Sequence, residues 1–162
     1  MPIELYRIDD RLIHGQVVVG WGQPLKLGFI VLVDDAVAAS EWEQELYRMG
    51  APPEMQVYFD SVERAVARLP EYEARPEPGM LLTGDIDTMC RLVAGAGTIR
   101  RVNLGGVHHR QGRVARLGYV FLSADEECAL RRLTDRGVAV TAQDLPASTP
   151  VSLDQVFAGT GA

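Results

Sequence analysis

The run Gly28-Phe29-Ile30-Val31-Leu32-Val33 carries no polar side chain and stops abruptly at Asp34-Asp35. A strand with one face in water would alternate, so a continuous apolar run reads as a strand covered on both faces. Covering both faces takes helices above and below, which points to a mostly parallel sheet in three layers. The rest of the chain repeats that rhythm. Strands are predicted at Ile3–Ile8, Met55–Phe59, Gly79–Thr83, Arg101–Leu104, Tyr119–Leu122 and Val138–Thr141. Between them fall helical patterns at Gln16–Trp21, Glu41–Met49, Asp60–Leu69, Ile86–Val93 and Ser123–Arg136, with a last short helix over Val151–Phe157. Ser40 with Glu43, and Ser123 with Glu126, have capping-box spacing. Gly50, Gly95, Gly97 and Gly137 are placed as stops. Pro70–Pro78 is polar and carries three prolines, so it reads as a surface loop. The expectation is a doubly wound α/β fold of six or seven strands in one domain, 1–162, with 145–162 a C-terminal tail ending in a short helix. Any strand past the sixth is free to pair antiparallel at an edge.

The first strand and the segment after it hold the chemistry. Asp9-Asp10-Arg11-Leu12-Ile13-His14-Gly15-Gln16-Val17 lies in the first strand-to-helix loop, which in such a sheet emerges at the carboxyl edge where ligands bind. A neutral imidazole is a good nucleophile toward phosphorus near neutral pH. Arg11 offers a permanently charged fork suited to phosphate oxygens. The amides of Gly15, Gln16 and Val17, at a helix N-terminus, add donors. Asp10 is positioned to orient Arg11 or to fix the tautomer of His14. A second loop, Asn103-Leu104-Gly105-Gly106 followed by His108, His109 and Arg110, leaves its strand at the same edge. Its glycines allow close backbone approach, and Asn103 can donate to a phosphate or a sugar hydroxyl. A tight turn beside a basic surface fits that loop equally well.

Charge separates the function classes. Between Asp87 and Asp125 there is no acidic residue, yet Arg91, Arg100, Arg101, Arg110, Arg113 and Arg116 all fall there, on a chain of net charge -6. A local positive field on an acidic protein suits a phosphate or an acidic partner. It is a poor nucleic-acid signature, because no aromatic residues interleave the arginines. Cys90 and Cys128 are unclustered and read as reduced thiols. A metal site from His14, His108 and His109 is disfavoured by adjacent side chains that diverge and by the lack of ligand spacing. No cofactor is implied. The apolar runs are too short to cross a bilayer and no signal peptide is apparent, so a cytoplasmic protein is the simplest account.

Arg7-Ile8-Asp9-Asp10-Arg11-Leu12-Ile13-His14-Gly15-Gln16-Val17 resembles the phosphorylation-site segment of the IIB subunits of the mannose/fructose/sorbose class of the bacterial sugar phosphotransferase system. Val33-Asp34-Asp35, Ala51-Pro52, Asn103-Leu104-Gly105-Gly106-Val107-His108 and the stretch Leu122–Val140 extend the likeness over most of the chain. The resemblance implies a protein-Nπ-phosphohistidine–sugar phosphotransferase, with His14 taking a phosphoryl group from a phosphorylated IIA protein. His14 then passes it to a sugar held by membrane IIC/IID subunits. It also implies a cytoplasmic location against the inner face of the membrane, and leaves room for a homodimer. Residues alone leave two further readings open: a flavodoxin-like phosphate- or nucleotide-binding module, and a regulatory phosphoprotein of the same fold not coupled to transport.

Overall fold

The computed structural model describes residues 2–159. A seven-stranded sheet has the order β3-β2-β4-β1-β5-β8-β9. Its members are β1 (Ile3–Ile8), β2 (Phe29–Val33), β3 (Gln56–Asp60), β4 (Gly79–Thr83), β5 (Arg101–Leu104), β8 (Ala139–Ala142) and β9 (Val151–Ser152). All pairings are parallel except β8 with β9. In β2 every residue is buried, and alternate side chains feed different cores. Phe29, Val31 and Val33 join a cluster with Leu69 and Tyr72 of α5 (Val62–Glu73), Met89 and Leu92 of α6 (Ile86–Ala96) and Leu130 of α7 (Ala124–Asp135). Ile30 and Leu32 join Val17 of α1 (Gly15–Val18), Trp21 beside α2 (Gly22–Leu25) and Val37 of α3 (Asp35–Ala38), with Tyr47 of α4 (Glu41–Met49) packed against them. The strand buried on both faces therefore gives the three layers directly.

Several local expectations are corrected. The Gln16–Trp21 pattern makes the one-turn α1 followed by a separate turn, α2. Asp34 opens a helix, accepting from the Val37 amide at 2.9 Å. Ser40 is an extended N-cap whose hydroxyl makes no cap bond, whereas the Ser123–Glu126 capping box forms in full. Helix α5 runs through Pro70 to Glu73 instead of ending at Leu69. A proline inside a helix loses a hydrogen bond. Here the extra turn brings Tyr72 into full burial, with its hydroxyl donating to Asp60 at 2.6 Å.

The expected Tyr119–Leu122 strand is not in the main sheet. It forms β7 (Val120–Leu122), an antiparallel hairpin with β6 (Val114–Leu117) that follows β5. The last sheet positions belong to β8 and to β9, which leads into α8 (Leu153–Ala158). The 145–159 segment is thus built into the body rather than trailing from it, and Leu153 and Val156 are core residues.

Candidate functional site

Strand β1 lies between β4 and β5, with Ile8 opposite both Thr83 and Leu104. Hydrogen bonding continues past the strand ends. Asp9 N–H donates to Thr83 O at 2.9 Å, Gly105 N–H to Ile8 O at 2.7 Å and Asp10 N–H to Gly106 O at 2.8 Å. The chain leaves β1 toward β2 on one side and leaves β5 toward β8 on the other. That is a topological switch point, where a crevice opens outside the carboxyl ends of the strands. Asp9–Gly15 and Gly105–Arg113 form its two walls.

Beneath the crevice lies a network built on Arg7, a residue that no local sequence pattern singles out. Arg7 and Asp9 are both fully buried. Arg7 Nη2 donates to Asp9 Oδ2 and to Asp144 O, each at 3.0 Å. Arg7 Nη1 donates to Asn103 Oδ1 and, at 2.9 Å, to Gln143 O. Its guanidinium lies over the Trp21 ring at 4.7 Å. Asp9 in turn grips Arg11: Oδ1 accepts from Nε at 2.8 Å and from the Arg11 amide at 3.1 Å, and Oδ2 from Nη2 at 2.6 Å. Burial alone would raise the Asp9 pKa; the Arg11 hydrogen bonds and the charges of both arginines reverse this and hold it below its ordinary value. The Asp9 hydrogen bonds outweigh burial at Arg11 and push its pKa up. A buried carboxylate between two guanidiniums fixes a cation at the crevice with its fork already oriented.

Asp10 takes a different role from the expected one. Its carboxylate turns to the second loop, with Oδ2 accepting the His108 amide at 2.7 Å and Oδ1 within 2.5 Å of His108 Nδ1. Asn103 is also redirected. It is 7% exposed and its side chain meets Arg7 and Gln143, so it supports the site from below. The glycines behave as their spacing suggests: a Cβ at Gly105 would overlap the Arg7 guanidinium, and one at Gly106 would come within 3.2 Å of Arg11 Nε. Both loops close on the network because no side chain intervenes.

Leu12 adopts φ 58, a left-handed conformation uncommon away from glycine, and its amide closes a turn onto Asp9 O at 3.0 Å. That turn buries Ile13 and delivers His14 to the surface. The His14 carbonyl accepts from Val18 N–H at 2.8 Å, opening α1 with the amides of Gly15, Gln16 and Val17 in its first turn. A Cβ built on Gly15 would meet nothing within 4 Å, so there is open space beside the imidazole's neighbour. Left-handed backbone of this kind concentrates at functional sites.

The arginine-rich stretch divides. Arg100 and Arg101 stand at the start of β5, the edge opposite His14. Arg113 makes a paired bond to Glu126, at 2.9 and 2.7 Å, and donates to His108 O at 2.8 Å. Arg116 is bound by Glu127 at 2.6 Å, and Arg91 by Asp35 at 3.0 Å. Arg110 is exposed in the loop that bears His108. Among the described residues, no group of three or more His, Cys, Asp or Glu side chains is placed to hold a metal ion. No helix among them is long and apolar enough to cross a membrane.

Comparison with known proteins agrees with this fold. The IIBSor domain of the sorbose permease from Klebsiella pneumoniae superposes with a TM-score of 0.87 at 32% identity, covering 98% of each chain. The sorbose-specific EIIB component of Lacticaseibacillus casei is 31% identical over 161 residues, 97% of this chain and 98% of its own. The mannose-specific EIIAB component of Escherichia coli is 34% identical over 138 residues, of which this chain spans 43% of the relative's length. None of these likenesses favours a nucleotide-binding module or a purely regulatory phosphoprotein. With residues 3–161 matching the family described as the PTS system sorbose subfamily IIB component, the chain belongs to that family of phosphotransferases, which carry phosphoryl groups for sugar uptake.

Proposed function

We propose that His14 is the side chain that carries the phosphoryl group, and that Arg11 and the amides of Gly15, Gln16 and Val17 hold it. The observation that carries this reading is the position of His14: exposed, at the switch point, directly after a turn that Asp9 and Arg11 make rigid. A ring nitrogen of His14 attacks the phosphorus of a phosphohistidine on a IIA partner as the bond from phosphorus to the donor nitrogen breaks. In the second step a sugar hydroxyl oxygen attacks, the bond to His14 breaks, and the hydroxyl proton passes to the freed imidazole. Such transfers need positioning and charge stabilisation and little covalent help. Arg11 supplies charge without reorganisation, because Asp9 has already fixed it.

The sugar is held by a membrane IIC/IID permease, which places this chain against the inner face of the membrane while it works. All the residues assigned come from one chain, so a homodimer is not required. The chain acts as one domain, since β9 and α8 tie the 145–159 segment to the sheet.

His14→Ala is expected to take up no acid-labile, base-stable label from phosphorylated IIA, while His108→Ala and His109→Ala still label. Label retained in His14→Ala would refute the assignment. Arg11→Lys should transfer more slowly than wild type, because a point charge loses the fork on Asp9. Unlike a lone surface arginine, Arg11 also neutralises a buried carboxylate. Arg11→Ala should therefore lose roughly 1–3 kcal/mol of stability as well as rate.

A further inference from the structure

Five large apolar side chains stand more than half exposed among the described residues, and three of them share one helix face. Trp42, Leu46 and Met49 of α4 are 70%, 56% and 82% exposed. Their spacing places them in one stripe along the outer side of the helix. The inner side is occupied otherwise: Gln44 donates to the Val37 and Ala38 carbonyls at 3.0 and 3.1 Å, and Tyr47 packs on the core. The stripe is therefore not a core face left open. Nothing in the fold of α4 asks for tryptophan and methionine there, and aromatic and methionine side chains are the ones enriched at protein interfaces.

The stripe also ends at the active edge. Gly50, next to Met49, lies against the segment that delivers His14; a Cβ there would be 3.6 Å from the Ile13 carbonyl oxygen. Acidic residues flank the stripe. Glu41 and Glu45 are exposed beside it, Glu45 paired with Arg48 at 2.8 Å, and Glu43 lies in the first turn. On the other wall of the crevice the exposed charge is Arg110, of opposite sign. Of the partners that must reach His14 in turn, one presents cationic side chains on physical principle. Loops of an integral membrane protein that face the cytoplasm carry an excess of Lys and Arg.

We propose that the Trp42-Leu46-Met49 stripe with its glutamate rim docks the basic, cytoplasm-facing surface of the membrane IIC/IID permease, bringing His14 to the sugar site. This rests on the reading of the chain as a carrier that serves both partners. The apolar stripe supplies the contact area, and the glutamates favour a basic surface over an acidic one and speed the encounter. Donor and acceptor then approach His14 over different ground.

The test uses full-length protein and membrane vesicles bearing a sorbose-type IIC/IID permease, with permease-free vesicles as the control. Unphosphorylated wild type should bind permease vesicles saturably and permease-free vesicles weakly. Trp42→Ser with Met49→Ser should raise the concentration for half-maximal binding roughly thirtyfold, the size of a single interface hot spot. Glu41→Lys should weaken binding and flatten its salt dependence. Labelling of these variants by phosphorylated IIA should proceed at the wild-type rate, which also shows that they fold and that His14 stays accessible. Binding of wild type that is no better to permease vesicles than to bare ones would overturn the proposal. So would variants that bind as wild type does, or a charge reversal that tightens binding. Slower labelling by IIA with unchanged vesicle binding would assign the stripe to the donor instead. A concentration-dependent dimer abolished by the double substitution would assign it to a second copy. Because binding is read without phosphate, failure of His14 to label would count against the carrier reading and leave the docking result standing.

Discussion

Asp9 links the stability of the fold to the proposed phosphoryl site. It is buried between Arg7 and Arg11 and hydrogen-bonded to both. Neutralising it leaves the buried Arg7 charge without its counter-ion, so Asp9→Asn is expected to cost about 3–5 kcal/mol in a urea titration. The pH profile gives an independent check. The Asp9 pKa is held below its ordinary 3.8 in the folded state, so its contribution is fully present above that pH and shrinks as pH falls through the folded value. Wild-type stability should drop below about pH 4. Asp9→Asn should show a flatter profile there, keeping the part that belongs to Glu126, whose pKa Arg113 holds down against the effect of burial. Equal acid sensitivity in both proteins would show that Asp9 is not the titrating group.

The loop after β5 is an element held from both ends. Asp10 binds His108 from the β1 side, and Arg113 ties the loop to the first turn of α7 through Glu126. The hairpin β6–β7 braces it, with the Val107 amide donating to Tyr119 O at 2.9 Å and the Phe121 amide to Val107 O at 2.8 Å. Arg110 and Arg113, neighbours in a basic run, thus divide the work. Arg110→Glu should lower the association rate with an acidic IIA surface a few-fold and reduce its salt dependence, with little effect on melting, because an exposed rim charge acts on encounter. Arg113→Ala should instead speed hydrogen exchange across residues 108–112 and slow transfer within the complex, leaving the salt response intact. The opposite partition, with Arg113 carrying the salt effect, would mean that its bond to Glu126 does not hold in solution.

At the scale of the whole molecule, the segment after β8 closes the structure. Gln143 and Asp144 give Arg7 two backbone acceptors, and Asp144 O also accepts from Trp21 Nε1 at 3.1 Å. Beyond them, Leu153 and Val156 of α8 are buried in the core, where α8 packs beside β6 and β8. Ending the chain at residue 150 removes both side chains and the β9 pairing. It should cost about 3–6 kcal/mol from lost apolar burial alone. Thermal stability and phosphoryl uptake are expected to fall together, since Gln143 and Asp144 under His14 follow β8 directly and β8 loses its β9 partner. A truncated chain that melts within a few degrees of wild type would show that this segment is dispensable.

The sequence determined the layer architecture, because an unbroken apolar strand such as Phe29–Val33 has no stable place except between two helical layers. It also placed His14, Arg11 and the Gly105-Gly106 pair just past strand ends, because these are local patterns tied to where strands stop. What it did not determine was who holds whom. Asp9 and Asp10 are adjacent and chemically identical, yet one is buried against two arginines and the other reaches His108, nearly a hundred positions away. Arg7 reads as one polar position in an alternating strand, but it is buried because Asn103, Gln143 and Asp144 converge on it. The same holds for Arg113, whose counter-charge is on α7, and for Pro70, whose helix continues because Tyr72 finds Asp60. Local spacing fixes the period and the punctuation of elements. The partner of a charge is fixed only when distant strands come into register and burial makes an unpaired charge too costly to keep.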